Sequence, residues 1–303
     1  MKAMILAAGK GTRLMPLTRI CPKVLMPIVN IPVIDRTIAY LRSYGVHEII
    51  MNAYHLHRQI IDYLKYMNNS CSKIEIRIEK DILGTGGGIK NTEGFWGKEP
   101  FIVINGDILT NIDLKKVYEF HKKENNLATM VLHDHPRYNQ IEVDRYMNIL
   151  SIRPSVPLEN ALAFTGIHII SPDALNYIPK NRKYDILECY KELINQKESV
   201  RGYLATGHRW IDIGTVQDYI GANFNFLPLN KKAIGPNCHI DLAAIEDDWV
   251  VIGKECFIEK GATVKRSVLW DNVVVKGGVK VIDSVVTSGV IVKKDLYSSV
   301  AIK

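Results

Sequence analysis

Several things are scarce in this 303-residue sequence, and each scarcity closes off a class of protein. Although 47% of the residues are hydrophobic, no run approaches the roughly 18 apolar residues of a membrane-crossing helix. The amino terminus lacks a basic segment followed by an apolar stretch and a small-residue cleavage site, so no secretory signal is expected. Cysteine is sparse: Cys21, Cys71, Cys189, Cys238 and Cys256 are odd in number, widely spaced and without zinc-type clustering. They suit a reducing cytoplasm. Aromatic residues make up 8% and are not interleaved with a dense Lys/Arg stripe. The net charge of +7 therefore does not read as a nucleic-acid surface. It fits either a mildly basic soluble protein or one that attracts small phosphate-bearing molecules. Two phosphate-loop fingerprints are also missing. Gly9-Lys10-Gly11 has no third glycine to complete the dinucleotide pattern, and there is no Gly-Lys-Ser/Thr.

What is present is alternation. Residues 2–8 form a short apolar run followed by a loop rich in Gly and Thr. Residues 33–44 have helical spacing, with Ile34, Ile38 and Leu41 on one face. Residues 48–52 read as a buried strand, 55–66 as a helix, 74–78 and 101–104 as strands, 114–123 as a helix and 128–132 as extended. Further on, 162–170 reads as a strand, 186–195 as a helix, 203–205 and 209–213 as extended, and 216–226 as a helix. Such alternation predicts an α/β domain with a mainly parallel sheet covered on both faces. Ligands then sit beyond the carboxyl ends of the strands, which singles out the loops after Ala8 and Ile104.

Leu227-Pro228-Leu229-Asn230 breaks this pattern, and the expected domains are 1–228 and 229–303. After the break the period becomes six: Ile234, Ile240, Ile252, Ile258, Val264 and Trp270, with Glu246 a misfit. Small or apolar residues stand four positions after each, and the register slips by one at Val275 and Val281. Two inward positions per six residues indicate a β-solenoid, with an irregular antiparallel domain as the alternative.

The densest chemistry lies at the amino terminus: Leu6-Ala7-Ala8-Gly9-Lys10-Gly11-Thr12-Arg13-Leu14, then Pro16-Leu17-Thr18 and Pro22-Lys23-Val24-Leu25-Met26-Pro27. Glycines after a strand let backbone amides come close to phosphate oxygens. Arg13 brings a charged fork and Lys23 a point charge. The stretch 7–27 resembles the signature of the sugar-1-phosphate nucleotidyltransferases. Leu83-Gly84-Thr85-Gly86-Gly87-Gly88 resembles that family's base-contacting loop. Asn105-Gly106-Asp107 resembles its first metal carboxylate, Phe164-Thr165-Gly166-Ile167 a sugar-pocket strand, and Trp210-Ile211-Asp212-Ile213-Gly214-Thr215 the second metal carboxylate.

The resemblance covers nearly the whole chain. It implies a Rossmann-like, mixed but mainly parallel sheet followed by a small left-handed parallel β-helix. It also implies Mg²⁺-dependent in-line attack of a sugar 1-phosphate on the α-phosphate of a nucleoside triphosphate. Arg13 and Lys23 are then the catalytic cations. Leu6, Ala8, Gly9, Gly11, Thr12, Arg13, Glu79, Gly84, Thr85 and Gly86 bind nucleotide. Asn105, Gly166 and Arg153 bind the sugar phosphate, and Asp107 and Asp212 hold the metal if they converge. Mg²⁺ needs only one or two protein carboxylates, so two acids suffice.

The sequence departs from the family in three places. Val24 follows Lys23 where Pro is usual. Ile152-Arg153-Pro154 stands for Glu-Lys-Pro, and an arginine fork is not a lysine point charge. Gly86-Gly87-Gly88 replaces Thr-Ala-Gly. With Asn52-Ala53-Tyr54-His55-Leu56, this last change looks more like the subgroup acting on N-acetylmuramate 1-phosphate or heptose 1-phosphate. A cytoplasmic enzyme is expected, with no nucleic-acid or membrane partner and with homo-oligomerisation through the solenoid. The alternatives are cytidylyl transfer to a non-sugar phosphate such as phosphocholine, and a non-catalytic regulatory subunit. His133-Asp134-His135 reads as a polar pair at a strand edge.

Overall fold

The computed structural model describes residues 1–67, 73–153, 161–245 and 248–303. Cys71, Pro154 and Glu246, all named above, lie outside them. The chain divides into two compact units, Met1–Lys10 with Thr37–Trp210 and Gly11–Arg36 with Ile211–Lys303. No helix among the described residues is long and apolar enough to cross a membrane.

The first unit is built on a nine-stranded sheet. Its strands Lys73–Ile78, Glu48–Ala53, Lys2–Ala7 and Phe101–Asn105 run parallel in that order. The three inner strands are largely buried, as strands covered on both faces must be, while the edge strand Lys73–Ile78 stays partly exposed. Beyond them the ten-residue strand Ala161–Ile170 pairs antiparallel with Phe101–Asn105, Ala128–His133 and Asn139–Val143. The sheet is therefore mixed. The spacing missed two strands, Asn139–Val143 and Ile149–Ile152, because each buries only part of its length. Helices α1 (Val33–Ser43), α2 (His57–Met67), α4 (Leu114–Lys123) and α5 (Ile186–Asn195) fall where the apolar periodicity places them. One buried cluster includes Met4, Ile50, Phe101, Val103, Met130 and Ile170 from the sheet and Ile186, Tyr190 and Leu193 from α5.

The helix α3 (Gly84–Lys90) was not expected, since three successive glycines disfavour a helix. Close approach explains it. A Cβ on Gly88 would stand 2.6 Å from Asn52 Nδ2, and one on Gly87 2.6 Å from the Arg182 carbonyl. Only glycines let this helix lie against its neighbours.

The second unit contains the solenoid and more. Three parallel sheets stack its strands, one of them running through Lys232–Ile234, Val250–Ile252, Ser267–Leu269, Val285–Val286 and Val300–Ala301. Ile252, Ile258, Val264, Leu269, Val275, Val281, Val286 and Val292 fill its core. Leu269, not Trp270, stands in register with Ile252. The slip thus comes one coil face earlier than the six-residue reading placed it. Arg266, in the left-handed region at φ 47°, lies at the corner between Thr263–Lys265 and Ser267–Leu269. Trp270 instead donates its indole N–H to the Tyr219 hydroxyl at 2.9 Å. The loop Gly11–Arg36 and the helix α6 (Val216–Asn225) belong to this unit, for a visible reason. Val29 N–H donates to Asn223 Oδ1 at 2.8 Å, Tyr219 O–H to the Pro27 carbonyl at 2.7 Å and Asn30 Nδ2 to the Ile252 carbonyl at 2.7 Å.

Candidate active site

At the carboxyl edge of the four parallel strands the first unit encloses a cavity of about 230 Å³. Leu6, Ala8 and Gly9 form its wall where Lys2–Ala7 ends, Asn105 and Asp107 where Phe101–Asn105 ends, and Gly84 and Thr85 where α3 begins. Asn52 and Ile82 complete it; neither was named as a site residue from sequence. The signal for Asn52 was available, a polar residue at the end of an otherwise apolar strand.

Asn52 organises this edge. It is buried, accepts from Ala7 N–H through Oδ1 at 2.8 Å and donates through Nδ2 to Glu79 Oε1 at 2.7 Å. The other Glu79 oxygen accepts from Leu83 N–H at 2.9 Å. Glu79 is itself buried, and as a carboxylate bonded on both oxygens it stands behind the wall as the anchor of the 82–85 loop. Gly166 has φ 76°, and a Cβ there would fall 2.5 Å from Asn105 Nδ2. Glycine at that position leaves Asn105 its place on the cavity wall. Behind it, Trp210 Nε1 donates to the Thr165 carbonyl at 2.9 Å. The His133 and His135 rings pack beside this indole, with centroids 6.2 and 5.4 Å away. Gly86 is buried against the 184–186 segment, and Arg153, at φ 53°, pairs through Nη1 with Asp185 Oδ2 at 3.1 Å.

The remaining expected residues gather within the second unit. Gly11 turns the chain at φ 61°, its carbonyl accepting from Thr18 Oγ1 at 2.9 Å, and Thr12 and Arg13 follow as exposed residues of a short 3₁₀ turn. Lys23 Nζ stands 3.8 Å from Asp212 Oδ1, both largely buried. A Cβ on Gly214 would meet Asp212 Oδ2 at 3.0 Å, Arg13 Nη1 at 3.1 Å and Asp218 Oδ2 at 3.3 Å, so these charges crowd one point. Asp218 also closes a capping box with Thr215 that fixes the start of α6. Arg13, Lys23 and Asp212, far apart in sequence, are thus brought together.

The arrangement offers backbone amides after a strand, one carboxylate on a cavity wall, and a cluster of alternating charges. These are groups that bind and orient a polyphosphate. Nothing in it resembles an activated nucleophile. Burial pushes the thiols of Cys21, Cys189 and Cys256 up to about 12. Such thiols stay protonated near neutral pH.

A family model described as nucleotidyl transferase matches residues 2–227. A UTP–glucose-1-phosphate uridylyltransferase from Synechocystis sp. is 29% identical over 94% of this chain and 87% of its own length. An N-acetylmuramate alpha-1-phosphate uridylyltransferase from Neisseria meningitidis is 34% identical over 71% of this chain and 94% of its own. Among solved structures, HddC from Yersinia pseudotuberculosis complexed with GMP-PN superposes with a TM-score of 0.64 at 28% identity, covering 75% of this chain and 99% of that one.

Proposed function

The chain belongs to the nucleotidyl transferase family, and from that premise we propose that it joins a nucleoside triphosphate to a sugar 1-phosphate, releasing pyrophosphate. The observation that carries this reading is the cavity at the carboxyl edge. Ala8, Gly9, the start of α3 at Gly84 and Thr85, and Asp107 all line it. Both reactants are anions. The protein's task is to hold them in line and to offset their charge, with no covalent chemistry of its own.

In this reading the backbone at Gly9, Gly11 and Thr12 cradles phosphate oxygens. Arg13 offers a bidentate fork and Lys23 a point charge to the polyphosphate. The nucleoside lies against Leu6, Ala8 and the loop from Glu79 through Gly84, Thr85 and Gly86. The sugar phosphate lies toward Asn105, Gly166 and Arg153. Mg²⁺ takes hard oxygen ligands, needs only one or two protein carboxylates and keeps several waters. Asp107 and Asp212 would hold it. When bound, the ion supplies charge stabilisation at the phosphates. A left-handed winding of the solenoid, its use in self-association and a cytoplasmic location belong to the same proposal.

The test is pyrophosphate release across a matrix of nucleoside triphosphates and sugar 1-phosphates with Mg²⁺. Turnover with at least one pair is expected, falling about 100-fold or more in Asp107→Ala and in Asp212→Ala. No turnover with any pair would refute the activity. Near-normal Mg²⁺-dependent turnover in either variant would refute that residue's metal role.

A further inference from the structure

Behind the 82–85 wall of the cavity stands a carboxylate that no motif singled out. Asp185 caps α5, its Oδ1 accepting from Leu187 N–H at 3.1 Å. A helix cap needs no more than that, yet both oxygens have further partners. Oδ1 also accepts from the Thr85 hydroxyl at 3.1 Å, and the same hydroxyl oxygen accepts from Ile186 N–H at 2.9 Å. Oδ2 accepts from Arg153 Nη1 at 3.1 Å. The backbone repeats the fastening: Tyr184 N–H donates to the Leu83 carbonyl at 2.8 Å, and Gly87 N–H to the Tyr184 carbonyl at 3.1 Å.

Arg153 is held with equal care. Its φ of 53° lies in the left-handed region that side chains other than glycine rarely adopt, and its N–H donates to the Gln140 carbonyl at 2.8 Å. The side chain is 51% exposed, so solvent reaches the guanidinium even while Asp185 holds it. An arginine fork carries five donors, and a bond through one Nη sets its plane without exhausting it. One carboxylate is therefore bonded at once to a residue of the cavity wall and to an exposed cation.

We propose that Asp185 is a positioning residue: through Thr85 it fixes the nucleotide side of the cavity, and through Arg153 it aims a cation at the phosphate of the sugar 1-phosphate. This rests on the reading given under Proposed function. Asp185→Asn keeps an oxygen for the cap and for Thr85 and removes the charge that aims Arg153. Thr85→Val removes the link to the wall and leaves Arg153 in place.

Two measurements on the full-length protein decide it. In the first, inorganic phosphate is titrated calorimetrically into wild type, Arg153→Ala and Asp185→Asn. Its affinity is expected to fall in both variants, about five-fold in Asp185→Asn, the size of a partly exposed ion pair. In the second, initial rates are measured with each substrate varied. Asp185→Asn is expected to raise the KM for sugar 1-phosphate about five-fold, with kcat and the KM for nucleoside triphosphate within about two-fold. Thr85→Val is expected to raise the KM for nucleoside triphosphate about ten-fold, the loss of one half-buried, doubly bonded hydroxyl, with Thr85→Ser restoring it. Thermal unfolding confirms that each variant folds. Unchanged phosphate affinity in Arg153→Ala or Asp185→Asn overturns the proposal, as does an equal rise of both KM values in Asp185→Asn. The phosphate titration needs no turnover, so it judges Asp185 even where an inactive wild type would refute the enzyme reading instead.

Discussion

Replacing Asn52 by leucine tests the carboxyl edge where its bonds are shortest. Asn52 is 2% exposed and Glu79 4%, so neither group can turn to water when its partner goes. Asn52→Leu, branched at the same carbon though larger, strands the Ala7 N–H and one Glu79 oxygen, which now bond to Asn52 at 2.8 and 2.7 Å. A buried orphan amide costs about 1–3 kcal/mol and a lost bond to a charged group about 1.5–3 kcal/mol. The new apolar side chain returns part of this, about 1 kcal/mol. The expected net loss is roughly 1.5–5 kcal/mol, read as a shift in the urea midpoint at constant slope. Glu79→Leu alone strands Asn52 Nδ2 and the Leu83 N–H. The double variant removes donor and acceptor together, so its loss should fall short of the sum of the single losses by about 1.5–3 kcal/mol. Additivity to within about 0.5 kcal/mol would show that the two side chains do not act on each other, and the account of the loop anchor would fall.

The strand Ala161–Ile170 and the helix α4 each carry a buried histidine whose burial pushes its pKa down, His168 to about 3 and His121 to about 4. His168 bonds to the Tyr190 hydroxyl, and His121 to Thr129 and Ser171 at 2.9 and 3.0 Å. Below the unfolded value near 6.5 the unfolded chain takes up protons that the folded one refuses. Stability is therefore fully present above about pH 6.5 and lost as pH falls toward those depressed values. Between pH 6.5 and 5 the two together should cost about 3 kcal/mol in urea titrations, and His168→Gln should flatten that slope; an unchanged slope would contradict it. Gly166→Ala should cost roughly 2–4 kcal/mol through its positive φ and its 2.5 Å approach to Asn105. Differential scanning fluorimetry checks this, and a loss under about 0.5 kcal/mol would refute it.

Long, strongly periodic elements were legible in the sequence. Helices α4 and α5 begin and end where the apolar spacing says. The cavity lies at the strand ends and glycines that the sequence singled out. What escaped depended on partners distant in sequence. The helix at Gly84–Lys90 exists because Asn52 and the 182–186 segment leave no room for side chains, and a local pattern cannot report that. The strands Asn139–Val143 and Ile149–Ile152 escaped because half-buried strands carry little period of their own. Arg153 was expected to meet a sugar phosphate; that Asp185 already holds it is a contact across 32 positions that composition does not encode.

The solenoid's coils do not keep one length. Ile234 lies beneath Ile252, eighteen positions on, and Ile252 beneath Leu269, seventeen on. Val286 lies beneath Ala301, only fifteen on. A winding that shortens as it climbs is not a tile. A duplicated turn inserted midway would arrive with the wrong perimeter for the rung above, leaving a step in the valine stack or a corner that cannot close. The number of turns is thus written into the spacing itself, so this segment should evolve by substitution at its corners more readily than by gaining or losing whole coils.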